Sequence, residues 1–192
     1  TPFFGQFELT PSCNLDCHMC YIKHSERACA DKALQPAKFW LDIAEKAAEE
    51  GMLVLSLTGG ETLLYPELDA LMDGLTRMGF LISFNTNGTL IDESRVQWFL
   101  EHRPTKINIS LYGADDATYE RLCGLKDGFT RVSTAMERMQ AEGLNVYLNA
   151  VIVPENVEQL EAMNAYAKSR NLDLHCASYI MPPLQADKSG RM

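Results

Sequence analysis

The chain has 192 residues, of which 46% are hydrophobic and 22% charged; this suits one domain with a sizeable buried core and excludes a disordered or collagen-like chain. Seventeen basic residues against twenty-six acidic ones give a formal net charge of −9, which argues against a broad phosphate-neutralising surface and so against a nucleic-acid binder. No apolar run approaches the roughly 20 residues of a membrane span, and Thr1-Pro2-Phe3-Phe4 lacks the basic region and cleavage site of a signal peptide. The reading is a cytoplasmic chain with no membrane role.

Short β-rich apolar runs alternate with amphipathic runs along the chain. Phe3 to Thr10 reads as a first strand and leads directly into a loop carrying Cys13, Cys17 and Cys20. Pro36, then Phe39, Trp40, Ile43, Ala44 and Ala47 at helical spacing, predict a helix that Gly51 stops. Met52 to Thr58 is nearly all apolar, as expected of a parallel strand covered on both faces, and runs into Gly59-Gly60-Glu61. A helix over Pro66 to Met78 ends at Gly79; the strand Phe80 to Asn85 follows, then the turn Thr86-Asn87-Gly88. A helix from Asp92 to His102 and a strand from Lys106 to Leu111 come next, with Tyr119 to Leu122 on a short helix. Phe129, Val132, Met136 and Met139 mark another helix, ended by Gly143. Val146 to Val153 is the fifth strand, Val157, Leu160 and Met163 mark its helix, and Leu172 to Ile180 is the sixth strand.

Six strands separated by five main helices imply a parallel α/β sheet, because each right-handed crossover restores the same strand polarity. The economical architecture is a partial (β/α)6 TIM-like barrel, open at one side. In such barrels function collects at the C-terminal ends of the strands, where the cysteine loop, Gly59-Gly60-Glu61, Asn85 to Gly88, Ser110 and Asn149 all fall. Residues 1–181 read as one core domain. Residues 182–192 read as a short polar tail, the start of a region beyond this core.

Three thiols within eight residues point to metal, since thiols in a cytosolic chain stay reduced. The spacing Cys13-x3-Cys17-x2-Cys20 wraps three corners of a metal centre and leaves a fourth position unfilled by cysteine. A structural zinc site closed by His18 or His24 answers the same spacing. A zinc knuckle, however, has no need of a Gly-Gly-Glu turn at the next strand end. Cys29, Cys123 and Cys176 are scattered and read as small buried hydrophobes.

The run Cys13-Asn14-Leu15-Asp16-Cys17-His18-Met19-Cys20, followed by Gly59-Gly60-Glu61, resembles the catalytic core of the radical S-adenosylmethionine (radical SAM) superfamily, whose motif is C-x3-C-x-aromatic-or-apolar-C. The resemblance covers essentially the whole chain. It implies that Cys13, Cys17 and Cys20 bind three irons of a [4Fe-4S] cluster and that S-adenosylmethionine chelates the fourth. An electron, from a reduced flavodoxin- or ferredoxin-type donor, then breaks the sulfonium bond to give methionine and a 5'-deoxyadenosyl radical. By the same resemblance Gly59 and Gly60 let the backbone approach the methionine moiety, and Glu61 accepts hydrogen bonds from its ammonium. Ser110 touches the ribose or the carboxylate, and the Met19 backbone touches adenine. Arg121 reaches the carboxylate or is an ordinary surface arginine. Asn87 faces the ligand or holds a left-handed turn, and Asn149 is a buried amide for which a nucleoside would be the partner.

Ser110-Leu111-Tyr112-Gly113-Ala114, with Thr118-Tyr119-Glu120 and Gly124, resembles the subgroup that modifies ribosomally made peptides or protein side chains, often with a cysteine-rich SPASM or twitch extension holding auxiliary clusters. No such extension lies within these residues. A peptide or protein substrate is therefore the first expectation. A glycyl-radical-enzyme activase or a small-molecule maturase uses the same chemistry, and a zinc-stabilised, non-catalytic binding module is the reading from another class.

Overall fold

Each strand has one face for the helices and one for the barrel interior, and the sequence alternates accordingly. Residues 3–22 and 34–177 are described by the structure, a computed structural model. Six strands, β1 (Phe4–Glu8), β2 (Val54–Thr58), β3 (Leu81–Thr86), β4 (Lys106–Ser110), β5 (Val146–Val151) and β6 (Leu174–Ala177), form one parallel sheet in sequential order. Its helices are α1 (Ala37–Glu49), α2 (Leu68–Arg77), α3 (Glu93–His102), α4 (Asp116–Cys123), α5 (Gly128–Ala141) and α6 (Leu160–Ser169). β1 and β6 do not pair, so the partial (β/α)6 barrel is open between them, as the sequence implies. The crossover from β4 to β5 carries two helices, α4 and α5. Residues 178–180 of the anticipated sixth strand, the tail 182–192, His24 and Cys29 lie outside the described residues.

Leu55, Leu57, Phe84, Ile107, Ile109 and Leu148 are wholly or almost wholly buried beneath the helices, packed with Leu71, Met72 and Leu75 of α2, Phe99 of α3 and Val132 and Met136 of α5. Burying such side chains stabilises by about 1.5–3 kcal/mol each, which makes this layer the main support of the sheet. The interior face departs from the expectation of strands apolar on both sides. Register aligns Gln6, Ser56, Ser83 and Lys106 across β1 to β4, then Asn85, Asn108 and Tyr147, then Ser110, Asn149 and His175. The polar residues sit at every second position, so the interior is a polar surface tiled by hydroxyls and amides.

Those amides bond to one another. Asn85 Nδ2 donates to Ser56 Oγ at 2.7 Å and to the Leu57 carbonyl at 2.9 Å. Asn108 Nδ2 donates to Ser83 Oγ at 2.8 Å and to Asn85 Oδ1 at 3.1 Å. The ladder spans β2 to β4 and satisfies buried groups that a helix-facing layer would leave without partners.

Candidate active site

The cysteine loop leaves β1 and lies over the C-terminal ends of β2 and β3. Two backbone bonds fasten its start to the Gly-Gly-Glu turn: Gly60 N–H donates to the Thr10 carbonyl at 2.6 Å and Glu61 N–H to the Ser12 carbonyl at 2.8 Å. The approach is so close that a Cβ on Gly60 would stand 2.3 Å from the Ser12 oxygen, and one on Gly59 2.5 Å from the Thr10 oxygen. Gly59 also has φ +142°, which disfavours a side chain. The α-hydrogens of both glycines thus face the chain's own cysteine loop, so the absence of side chains is needed here for the loop to close on the turn. What the turn leaves unengaged, among the described residues, is the carbonyl oxygens of Gly59 and Gly60.

Glu61 departs further from expectation. Its side chain is fully buried; Oε1 accepts from Leu63 N–H at 3.0 Å and from Thr86 Oγ1 at 2.7 Å, and Oε2 accepts from Asn87 N–H at 2.8 Å. Burial pushes the carboxyl above its ordinary range, while the three donors pull it down. The carboxylate ties the β2 end to the β3 end, with both oxygens bonded within the chain. Asn87 is likewise used internally. Its Nδ2 donates to Asn14 Oδ1 at 2.9 Å and reaches Cys13 Sγ at 3.8 Å, and its Oδ1 accepts from Thr89 N–H at 2.9 Å. Gly88, with φ +77°, takes the left-handed position of that turn, and Asn87 does not.

Of the three thiols, Cys13 is exposed, Cys20 is half-buried and Cys17 is buried. Although Cys13 as a residue is exposed, desolvation around its sulfur pushes the thiol up to about 11, with the charges of Glu61, Cys17 and Cys20 acting in the same direction and the Leu15 N–H bond opposing them. Cys17 behaves in the opposite way: hydrogen bonds from Cys123 and Tyr112 hold its thiol below the usual range. The partner of that first bond, Cys123, was expected to be a plain buried hydrophobe. It lies at the C-terminus of α4, whose Leu122 and Cys123 carbonyls accept from His18 N–H at 3.1 Å and Asp16 N–H at 2.9 Å. Cys176, by contrast, is exposed on β6.

The interior face of the sheet lines an open cavity of about 630 Å³, with Ser56, Thr58, Ser83, Asn85, Asn108, Ser110 and Asn149 on its wall and Lys106 and Phe4 at the N-terminal ends of their strands. Ser110 and Asn149 therefore face one space, as anticipated, although Asn149 is half-buried where a buried amide was expected. Met19 is half-buried against the core beside the loop. Arg121 is exposed and committed elsewhere, its Nη2 donating to the Glu155 carbonyl at 3.0 Å and to Thr118 Oγ1 at 3.2 Å; it does not line the cavity. Sequence reasoning singled out Asn85 at its strand end but missed Asn108, Ser56 and Ser83, although a polar residue at every second strand position was the available signal.

The profile of the Radical SAM superfamily matches residues 7–167, from β1 to α6. The chain belongs to the radical SAM superfamily. It is 32% identical over 162 residues, 84% of its length, to a PqqA peptide cyclase of Gluconobacter oxydans (strain 621H), of which it covers 44%. It is 25% identical over 179 residues to the antilisterial bacteriocin subtilosin biosynthesis protein AlbA of Bacillus subtilis (strain 168), covering 93% of this chain and 39% of that protein. The chain thus spans less than half the length of these curated relatives. In fold it resembles Streptococcus suis SuiB bound to S-adenosylmethionine, with a TM-score of 0.79 at 23% identity over 95% of this chain and 42% of SuiB.

The superfamily uses a [4Fe-4S] cluster with S-adenosylmethionine, and the donor set here suits a cluster. Cys13, Cys17 and Cys20 are soft thiols spread along one loop. Three thiolates on one loop with a fourth coordination position left open are the donor set such a cluster takes. No helix among the described residues is long and apolar enough to cross a membrane.

Proposed function

We propose that this chain is the catalytic core of a radical SAM enzyme that acts on a peptide or protein side chain, with Cys13, Cys17 and Cys20 holding the [4Fe-4S] cluster. The observation that carries this reading is the cysteine loop fastened to Gly59-Gly60-Glu61 at the same strand ends where Thr58, Ser110 and Asn149 border the cavity, in a chain matched by the superfamily over residues 7–167. When bound and reduced, the cluster supplies the electron that splits the S-adenosylmethionine sulfonium into methionine and the 5'-deoxyadenosyl radical that abstracts a substrate hydrogen atom.

The chain's own residues bind and orient. The carbonyl oxygens of Gly59 and Gly60 are acceptors suited to the ammonium of the methionine moiety, in place of the Glu61 carboxylate that the family resemblance implies. Glu61 and Asn87 instead hold the β2 and β3 ends against the cysteine loop, so that those carbonyls and the thiols keep one geometry. Ser110 and Asn149, adjacent in register, offer a hydroxyl and an amide to the ribose or base. Met19 lies beside the adenine position by backbone, and Arg121 has at most an outer role. The amides and hydroxyls deeper in the cavity suit a peptide's backbone and side chain.

A peptide substrate is supported by the two relatives whose names describe a peptide cyclase and bacteriocin biosynthesis. A small-molecule substrate is the second reading, supported by a 24% identical AdoMet-dependent heme synthase of Methanosarcina barkeri (strain Fusaro / DSM 804). The electron donor is a reduced flavodoxin or ferredoxin, and the cytoplasm is the compartment that keeps such thiols reduced.

The test is anaerobic loading with iron and sulfide, followed by reduction in the presence of S-adenosylmethionine. The expected result is a visible iron–sulfur absorption and formation of 5'-deoxyadenosine, both lost in Cys13→Ala, Cys17→Ala and Cys20→Ala. Stoichiometric zinc with no iron–sulfur absorption would overturn it.

A further inference from the structure

One charge stands in a cavity otherwise lined by hydroxyls, amides and apolar groups. Of the described residues on its wall only Lys106 is ionised, in a chain whose net charge is −9. Lys106 opens β4 on the interior face, in register with Ser83 and through it with Ser56, and it is half-buried. Its Nζ stands 5.3 Å from the centre of the Tyr147 ring, which β5 aligns with Asn108 on the same face. No ion pair among the described residues includes it. The nearest acidic candidates are placed elsewhere. Glu8 of β1 is aligned with Thr58, three strands from β4, and accepts from Tyr21 Oη at 2.8 Å. Asp173 is exposed just before β6, with β5 between it and Lys106. Neither lines the cavity. The ammonium is therefore held against an aromatic face and left without a counter-ion.

We propose that Lys106 is a specificity-determining residue whose ammonium pairs with a carboxylate of the substrate, either an acidic side chain or a free C-terminus, at a position remote from the reacting carbon. This deepens the reading of the chain as a peptide-modifying core and rests on it. Position along β4 separates the cation from the cofactor. Ser110, at the strand end assigned to S-adenosylmethionine, is four residues further on, about 13 Å at about 3.3 Å per residue. Lys106 is thus left for the part of the substrate that reaches down the cavity. The Tyr147 ring attracts the ammonium through its face but carries no counter-charge, so it fixes the cation without neutralising it. Ser56, Ser83 and Asn108 on the same face are neutral. A substrate carboxylate supplies the missing charge and makes the stronger, charge-assisted kind of hydrogen bond, with the half-buried wall reducing competition from water. A lysine that only kept its charge in water at the start of a strand would show no preference between acidic and neutral peptides.

The test is a nuclear magnetic resonance shift titration of the cluster-loaded chain, with S-adenosylmethionine present, against two pairs of peptides that differ only in one carboxylate. The first pair is acetyl-Ala-Ala-Glu-Ala-Ala-amide and its Gln counterpart; the second is acetyl-pentaalanine as the free acid and as the amide. Backbone amide signals of Lys106 and Tyr147 report occupancy. The acid of at least one pair should bind about tenfold more tightly than its neutral partner, the worth of one charge-assisted bond. Preference in the first pair assigns a side chain, and preference in the second a C-terminus. Lys106→Gln should abolish the preference at an unchanged melting temperature, and Lys106→Arg should keep it. No carboxylate-dependent shift at Lys106 in either pair overturns the inference and leaves the cluster reading standing. A preference that survives in Lys106→Gln overturns it too, because the anion then sits elsewhere. If Lys106→Gln does not fold, the wild-type comparison at Lys106 and Tyr147 decides alone. A wild-type chain that takes up no cluster overturns this inference together with the reading beneath it, and iron analysis before the titration tells that failure apart.

Discussion

Two residues at the Gly-Gly-Glu turn bear consequences that the motif alone would misassign. Glu61→Gln exchanges one carboxylate oxygen for an NH2, and whichever way the amide is turned, that NH2 meets a donor: Asn87 N–H on one side, Leu63 N–H and Thr86 Oγ1 on the other. A buried donor left without its acceptor costs about 1–3 kcal/mol, so this variant should unfold at lower temperature even with no ligand present. A Glu61→Gln melting temperature equal to wild type, paired with weakened S-adenosylmethionine binding, would return Glu61 to the ligand. Gly60→Ala tests the other half of the turn. A Cβ 2.3 Å from the Ser12 carbonyl oxygen must push the cysteine loop away, because its neighbour is backbone and not a pliable side chain. The expected outcome is a folded protein with less iron per chain after loading, read by iron and sulfide assay. The motif was legible because Cys13, Cys17, Cys20 and Gly59 to Glu61 are local patterns. The direction of the Glu61 side chain was not, because it depends on Thr86 and Asn87 arriving from the next strand.

At the scale of elements, α4 is the short helix on which the loop rests. Asp115 caps it, its side chain accepting from Thr118 N–H at 2.7 Å; the same carboxylate also bonds to Gln159. The Thr118 bond, before the others, holds the Asp115 carboxyl below its ordinary 3.8. A depressed folded value means that the cap contributes fully above that ordinary value and loses its contribution as pH falls through the folded one. Asp115→Ala should therefore cost about 1 kcal/mol at neutral pH, and wild type and variant should converge as pH drops below 3.8. Urea midpoints across that range check it; a difference that stays constant into acid would remove the cap as its cause. The helix was anticipated only in part, around Tyr119 to Leu122. Its tertiary use was hidden: no spacing rule links α4 to the cysteine loop, which docks there because Asp16 and His18 bond to the helix's last carbonyls.

Over the whole molecule the sheet divides its labour between two faces, and this division was misread where β2 was taken as apolar on both. Val54 to Thr58 is five residues long with only Ser56 and Thr58 polar, so its alternation is brief and is masked by the apolar Met52 and Leu53 before it. Ser56 joins Ser83, Asn85 and Asn108 as a surface only once register places them side by side. Two of the amides facing that interior, Asn108 and Asn149, are not equivalent, which makes them separable by mutation. Asn108→Ala removes the donor to Ser83 Oγ and Asn85 Oδ1, so buried acceptors lose their partner, and stability should fall by about 1–3 kcal/mol, or roughly 2–4 °C in Tm for each kcal/mol. Asn149 faces the same cavity, half-buried, but its side-chain amide belongs to no hydrogen bond among the described residues. Asn149→Ala should therefore leave stability within about 0.5 kcal/mol, as substitutions outside such networks do. It should instead weaken S-adenosylmethionine binding to cluster-loaded protein by the worth of one hydrogen bond, about 0.5–1.5 kcal/mol or roughly two- to tenfold in Kd. Thermal melts and calorimetric titration of the two variants read these outcomes independently. An Asn149→Ala protein that loses stability and binds S-adenosylmethionine normally would mean that this amide serves the sheet, and that the nucleoside lies elsewhere along the rim.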